Sequence, residues 1–449
     1  MNEELMNVED ILSMLENRQY KELKEELENM HPVDIAELLE ELDEKQMVLA
    51  FRLLNKDEAA ETFTEMGNDV RESLLNMLTD SEIKEFMEEM YLDDTVDVLE
   101  EMPANVVDRL LMATDEETRK QINIILRYPE DSAGSIMNIE YIAFQKDMTV
   151  EEAILKIRQV GINRETIYTC YVTEKRKLIG VVTVKELLTS GDNRLIEDIM
   201  DTNIICVNTH DDQEEVAGVI NKYGLIAVPV VDNDMRMVGI VTVDDALEVI
   251  QEETTEDMSV MAGIVAPSED TYFDTSVWQH AKGRFPWLLF LMLSATITGL
   301  VLGHFEEALL VMPILNTFIP MLTGTGGNCG SQSSTLIIRG LAVDEIEFKD
   351  IFRVLLKEVS VSLLVGVLLA VVNGIRIVIM YQDPILALTL GMTLVLTVLL
   401  AKTIGCLLPL FAKKVGLDPA LMAAPLITTL VDTGTILIYF AIATRVFGL

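Results

Sequence analysis

Cysteine is scarce in this chain of 449 residues. The four present, Cys170, Cys206, Cys329 and Cys406, are scattered with no CxxC spacing, which leaves neither a disulfide framework nor a thiolate zinc site to read and suits a reducing compartment. Histidine is as rare. His31, His210, His280 and His304 lie far apart, no HExxH occurs, and there is no P-loop or nucleophile elbow, so an enzyme is disfavoured. Basic residues are scarce over the first 280 positions. From Ala281 onward there are 11 Lys/Arg against 10 Asp/Glu, which leaves 23 basic and 64 acidic residues before it, a net charge of −41. A field of that sign repels nucleic acid, so no nucleic-acid partner is expected, and it attracts cations.

Half the chain is hydrophobic although its net charge is −40. The two properties coexist because they are segregated along the sequence, and the length calls for several domains. The opening MNEELMNVED is acidic without an apolar run, so the acidic part is expected to stay in the cytosol. Residues 1–130 read as short amphipathic helices. Apolar residues recur at helical spacing in VEDILSMLEN, HPVDIAELLEEL and DDTVDVLEEMP. The likeness of the last two predicts stacked hairpins in an all-α superhelical N domain.

Residues 138–250 change character. β-branched runs (TIYTCYV, LIGVVTV, IICVNT, LIAVPVV, MVGIVTV) alternate with the helical patterns TVEEAILKIRQV and DQEEVAGVINKYG, an α/β arrangement. It contains a repeat: LIGVVTVKELL at 178–188 returns as MVGIVTVDDAL at 237–247, 59 residues later. The two copies resemble a tandem CBS pair. In such pairs a Thr hydroxyl and a carboxylate at this spacing, here Thr183 with Glu186 and Thr242 with Asp245, fork onto the vicinal hydroxyls of an adenosine ribose. The alternative reading makes each pair a helix cap. A connecting helix rich in Asp244, Asp245, Glu248, Glu252, Glu253, Glu256 and Asp257 follows, and residues 243–283 as a whole form a link and an interface segment containing Trp278, Lys282, Arg284 and Trp287.

Residues 284–449 hold apolar runs long enough to span a bilayer. Five spans are predicted, at about 285–304, 312–338, 354–379, 385–411 and 418–445. The basic residues Lys282, Arg284, Arg339, Lys349, Arg353, Lys357, Lys413 and Lys414 fall on one side of them, which places the N-terminal domains in the cytosol and the C-terminus outside. An ionisable group within a span is costly and usually faces a pathway. Asp432 sits within LITTLVDTGTILIYF, near Thr428, with no basic residue within ten positions. A cation is the simplest partner for it, and pairing with Lys402 of the preceding span is the alternative. Five helices leave little room for a central pore, so a homodimer with the pore on its axis is expected. In the second predicted span, PMLTGTGGNCGSQSS offers Asn328 and Gln332, either as pore lining or as packing.

In order along the chain, HPVDIAELLEEL, YPEDSAGSIM, the two CBS copies, VTVDDALEVIQEETTEDM, TGTGGNCGSQSSTLIIRGLA and GLDPALMAAPL with the following TLVD are similar to the MgtE family of magnesium channels over essentially the whole chain. The resemblance implies a helical N domain, a CBS pair, a connecting "plug" helix and five spans, forming a homodimer in the cell inner or plasma membrane. It implies Mg2+ as both substrate and regulator, with Asp432 as the pore aspartate. It also implies a regulatory metal site between Asp418 and the plug-helix acids Glu252, Glu253, Glu256 and Asp257. A second such site would join Asp93, Asp94 and Asp97 of the N domain to Asp232, Asp244, Asp245 and Glu248, and ATP is a further expected ligand at the CBS pair. Asp432 is followed here by Thr433-Gly434-Thr435, where the family has V-T-G or similar, so another divalent cation such as Co2+ or Mn2+, or a non-transporting membrane sensor, stands as the alternative.

Overall fold

The computed structural model describes residues 8–264, 272, 275–343, 345–422 and 424–448. The chain divides into two compact units, residues 1–252 and 253–449.

The first unit opens with ten short helices: α1 (Val8–Glu16), α2 (Tyr20–Leu27), α3 (Pro32–Glu40), α4 (Glu44–Phe51), α5 (Lys56–Thr64), α6 (Asn68–Met77), α7 (Asp80–Met87), α8 (Leu92–Glu101), α9 (Ala104–Ala113) and α10 (Glu116–Ile125). Each is too short to be stable alone, so each depends on burying one apolar face. Starts are written locally. Pro32 occupies the first position of α3, Asn55 and Glu58 form a capping box on α5, and Thr79 and Glu82 form one on α7. Helices two apart in sequence stack, α3 on α5, α5 on α7 and α7 on α9. Ile35, Leu39, Phe63, Leu74, Phe86 and Val96 belong to the continuous core that results. This is the superhelix predicted from the repeat.

The repeat at 178 and 237 becomes two three-stranded sheets of identical order. In the first, β1 (Ala143–Phe144) runs parallel to β2 (Thr169–Glu174), which pairs antiparallel with β3 (Lys177–Thr183). The second comprises β4 (Val207–Asn208), β5 (Ala227–Val231) and β6 (Met237–Thr242) in the same pattern. Both central strands carry a register irregularity near their C-terminal ends, at Val172/Thr173 and Val230/Val231. Between the sheets' strands lie α11 (Val150–Val160), α12 (Val184–Thr189) and α13 (Gln213–Tyr223), and β6 leads into the connecting helix α14 (Val243–Met261). Tyr171, Leu178, Val231, Met237 and Ile240 form a shared core between the copies. Gly239 has to be glycine: a Cβ there would lie 2.7 Å from the Asn138 carbonyl oxygen.

The second unit is helical: α15 (Val277–His304), α16 (Glu306–Val311), α17 (Ile319–Ala342), α18 (Ile351–Tyr381), α19 (Pro384–Val415) and α20 (Ala424–Phe447). Among the described residues four helical segments are long and apolar enough to cross a membrane: α15, α18 with the turn before it, α19, and α20 with the turn before it. The sequence led us to expect five. The remaining one, α17, is long enough at 24 residues but is rich in glycine and hydroxyl side chains, and it packs one side against its neighbours, with Gly326, Gly327, Gly330, Ser333 and Ser334 among its buried residues. A helix shielded by other helices does not need an apolar surface. By contrast α15 buries no residue in its own unit. It leans on α20 through a Thr298–Thr433 hydroxyl hydrogen bond of 2.7 Å and a stacked Phe305–Phe440 pair.

Candidate functional site

Glycines bring α17 close to both its partners. Gly330 abuts Gly405 of α19 and Ile427 of α20, and Gly327 faces the methyl of Thr428. The contact at Gly327 sets this stretch of α17 against Thr428, one turn from Asp432. Asn328 and Gln332 lie on one exposed face of α17, four residues apart and so neighbours on the helix surface. Asp432 is half-buried. Its Oδ1 is buried outright and has no hydrogen-bond partner among the described residues.

Lys402 does not fill that vacancy. Its Nζ donates to Glu358 Oε2 of α18 at 3.3 Å and to Ser333 Oγ of α17 at 3.0 Å, while Ser333 Oγ donates to the same Glu358 oxygen at 2.6 Å. Exposures of 5 %, 9 % and 0 % bury all three groups. The alternative in which Lys402 neutralises Asp432 is therefore excluded by a triad that spends the lysine on another carboxylate. Sequence reasoning missed Glu358. Its signal was a single acid inside the apolar stretch VLLKEVSVSLL.

At the entrance to this unit, Asp257 of α14 is half-buried, and its carboxyl is raised by burial first, then by the charges of Asp418 and Glu256. Asp418 thus lies near enough to Asp257 of the connecting helix for their charges to oppose one another. Asp418 Oδ1 also accepts from Ala420 N at 2.7 Å, which shapes the turn before α20. Glu252 and Glu256 are exposed and Glu253 is intermediate.

In the first unit the start of α14 meets α8. Asp97 is exposed, yet partial desolvation among the neighbouring acids pushes its carboxyl up to about 8, with help from the charges of Asp94, Asp245, Glu248 and Glu100. That of Asp94 rises to about 6 through burial and then Asp245, Glu248, Glu65 and Asp244. Asp93 is raised well above the carboxylate range and Asp245 is raised as well, both chiefly by burial. Glu165, which the sequence did not single out, joins them at about 7, again through burial first and then Asp245 and Asp244. Asn138 Nδ2 donates at 3.1 Å to both Asp93 Oδ1 and Glu165 Oε2. Asp232 is elsewhere. It shapes the turn between β5 and β6, where its Oδ1 accepts from Asp234 N and Arg236 N. Among the described residues no three His, Cys, Asp or Glu side chains converge as a ready metal-ligand set.

In each CBS copy the Thr and the acid are bonded to one another. Thr183 Oγ1 donates to Glu186 Oε2 at 2.8 Å within a capping box, and Thr242 Oγ1 donates to Asp245 Oδ2 at 2.6 Å. The capping role is thus present in the first copy, and in both copies one carboxylate oxygen is left outside the Thr–acid bond.

Residues 319–442 match the family described as MgtE, divalent cation transporter, residues 30–131 its intracellular N domain, and residues 133–192 and 196–252 the CBS domain. The chain is 37 % identical over 428 residues to a magnesium transporter MgtE of Thermus thermophilus, covering 94 % of each chain, and 32 % identical over 435 residues to one of Bacillus subtilis, covering 97 % of this chain and 96 % of that one. A crystal structure of the cytosolic domain of the Mg2+ channel MgtE in complex with ATP superposes with a TM-score of 0.52 at 35 % identity, over 54 % of this chain and 99 % of that one. With relatives named as transporters, the role is not enzymatic, and this chain belongs to the MgtE family of magnesium transporters.

Proposed function

We propose that this protein is a magnesium channel which works as a homodimer in the cell inner or plasma membrane, imports Mg2+ down its electrochemical gradient and closes when cytosolic Mg2+ rises. One observation carries the pathway: a carboxylate oxygen of Asp432, inside the bundle, has no hydrogen-bond partner among the described residues, and the buried Lys402 is committed to Glu358. A hard divalent cation that keeps most of its waters suits a wide ring of carboxylate, hydroxyl and amide groups. Asp432 and Thr428, with Asn328 and Gln332, supply those groups, and a second copy across the axis doubles the charge. It also keeps the exposed amides of α17 away from lipid. The C-terminus then lies outside and the N-terminal domains in the cytosol.

The gate follows from repulsion among crowded acids, of which Asp93 is buried and Asp94, Asp245 and Asp257 are half-buried. Asp93, Asp94, Asp97, Asp244, Asp245 and Glu248 in one cluster, and Asp257 with Asp418, Glu253 and Glu256 in the other, are held near one another although like charges oppose it. Mg2+ bound largely through its waters relieves that opposition without a tight three-ligand set. It shifts the population toward the closed form only through tighter binding there. ATP binding at the CBS pair through Thr183, Glu186, Thr242 and Asp245 is a second reading, favoured by the ATP-bound relative.

The test is Mg2+ influx into sealed vesicles that hold the purified protein and an internal magnesium dye. Wild-type influx that Asp432→Ala reduces to background supports the pathway. Entry of Mn2+ or Co2+ without Mg2+ would make the ion wrong, and no entry of any of them at low internal Mg2+ would leave a sensor. Neutralising Asp418, Glu252 and Glu256 together is expected to weaken block by cytosolic-side Mg2+, and unchanged block would refute that placement of the sensor.

A further inference from the structure

A groove of about 1110 Å3 opens between α18, α19 and the end of α20. Its walls are aliphatic, with Val371, Ile375, Leu388, Met392 and Ile442 among them, and Arg445 is the one charged residue on its lining. Two glycines widen it. A Cβ added at Gly374 would meet nothing within 4 Å, and one at Gly391 would meet only Ala370. Among the described residues Arg445 makes no hydrogen bond or ion pair, and it is exposed.

The dimensions identify the occupant. Along α18 the groove runs from Val367 to Ile379, about 18 Å at 1.5 Å per residue. One leaflet of hydrocarbon is about 15 Å deep, half of a core of about 30 Å. Arg445 and Pro384 mark the end where α18 finishes and α19 begins, which is where the headgroups of that leaflet lie. An apolar slot one leaflet deep with a guanidinium at its headgroup end has the outline of a phospholipid. The fork of Arg matches a phosphate bidentately, and the bond is charge-assisted. A second copy is disfavoured, because the dimer proposed above has its axis at Asp432 and the exposed amides of α17, and α17 does not line this groove.

We propose that this groove binds one anionic phospholipid, with an acyl chain along the α18–α19 wall and the phosphate on Arg445. The lipid wedges the end of α20, the helix that carries Asp432, against the α18–α19 hairpin. Binding is independent of which ion crosses the bundle, so it can fail or succeed separately from the channel reading.

The test is native mass spectrometry of the full-length protein in detergent, titrated with phosphatidylglycerol or phosphatidylcholine without divalent cations. Wild type is expected to take the first phosphatidylglycerol about tenfold more tightly than phosphatidylcholine, the scale of one charged hydrogen bond. Arg445→Gln should bind the two equally. Gly374→Leu, whose side chain projects into open groove, should lose the first lipid of either kind. Equal affinities in the wild type, or a preference that survives Arg445→Gln, would overturn the proposal. So would a Gly374→Leu protein whose lipid occupancy is unchanged while its oligomeric mass falls, because that groove would then be covered by a second copy. If Gly374→Leu does not fold, the Arg445→Gln comparison decides alone.

Discussion

Replacing Glu358 by leucine removes the anion of the buried triad and leaves the Lys402 ammonium facing only Ser333. Both charged side chains are nearly sealed, at 7 % and 12 % side-chain exposure. Breaking a buried pair from one side costs about 3–5 kcal/mol, because the surviving charge stays desolvated without its partner. At roughly 2–4 °C per kcal/mol for a unit of this size, the midpoint of thermal unfolding in detergent should fall by roughly 6–20 °C. The double variant Glu358→Leu with Lys402→Met removes both charges and keeps comparable volume. It should recover most of that loss or exceed wild type, since apolar replacements of buried pairs are often neutral or stabilising by about 1–4 kcal/mol. Ser333 is not stranded by the change, for it can turn to the carbonyl four residues back, as Ser331 does toward Gly327 O at 2.9 Å. A single variant within a few degrees of wild type, or a double variant no better than the single, would refute the reasoning that the triad is held by mutual neutralisation.

Gly263, at φ +78°, lies against the indole of Trp287 in α15. Gly263→Ala combines a disfavoured left-handed backbone, about 1–2 kcal/mol, with that contact, so it should lower thermal stability and alter the response to cytosolic-side Mg2+ in the vesicle assay. The α8–α14 acids give a pH signature. The carboxyls of Asp97 and Asp94, at about 8 and about 6, are raised above their unfolded-chain values, so the folded form binds protons more tightly. Their contribution to stability is complete below about pH 4 and is lost as pH climbs through 6 to 8. Limited proteolysis of the full chain in chelator should speed up over that window, and millimolar Mg2+ should abolish the change. A flat profile would mean that these acids do not oppose one another in solution. Thr183→Ala removes a helix cap, about 1 kcal/mol, Thr242→Ala removes the hydroxyl bond to Asp245, and both should weaken ATP binding in calorimetry. Loss of stability with unchanged ATP affinity would leave them with that local role alone.

The N-terminal helices and the CBS strands were legible because their signals are local. Capping boxes at Asn55, Thr79 and Thr149 mark helix starts, and a 59-residue repeat writes the same sheet twice. Asp432 was legible for a similar reason, because one acid in an apolar run needs no partner in view to be conspicuous. Two points needed the structure. Apolarity alone picks out four of the five expected spans, because α17 packs one side against its neighbours and carries glycines where they press in. The acid cluster was drawn with Asp232, which belongs to a turn, and without Glu165, which reaches α8 and α14 from a loop between α11 and β2.

The sequence by itself determined the order of the domains, the segregation of charge, the helix starts and the lone acid of the last apolar run, Asp432. Each depends on composition or on neighbours within a few positions of the chain. Only the tertiary structure decided which carboxylate Lys402 neutralises and which acids crowd one another. It also decided that the ends of α18, α19 and α20 leave a groove one leaflet deep. Those outcomes depend on groups tens of residues apart, such as Ser333, Glu358 and Lys402, and burial sets their energies. Charges and voids acquire their cost only when packing removes the solvent around them.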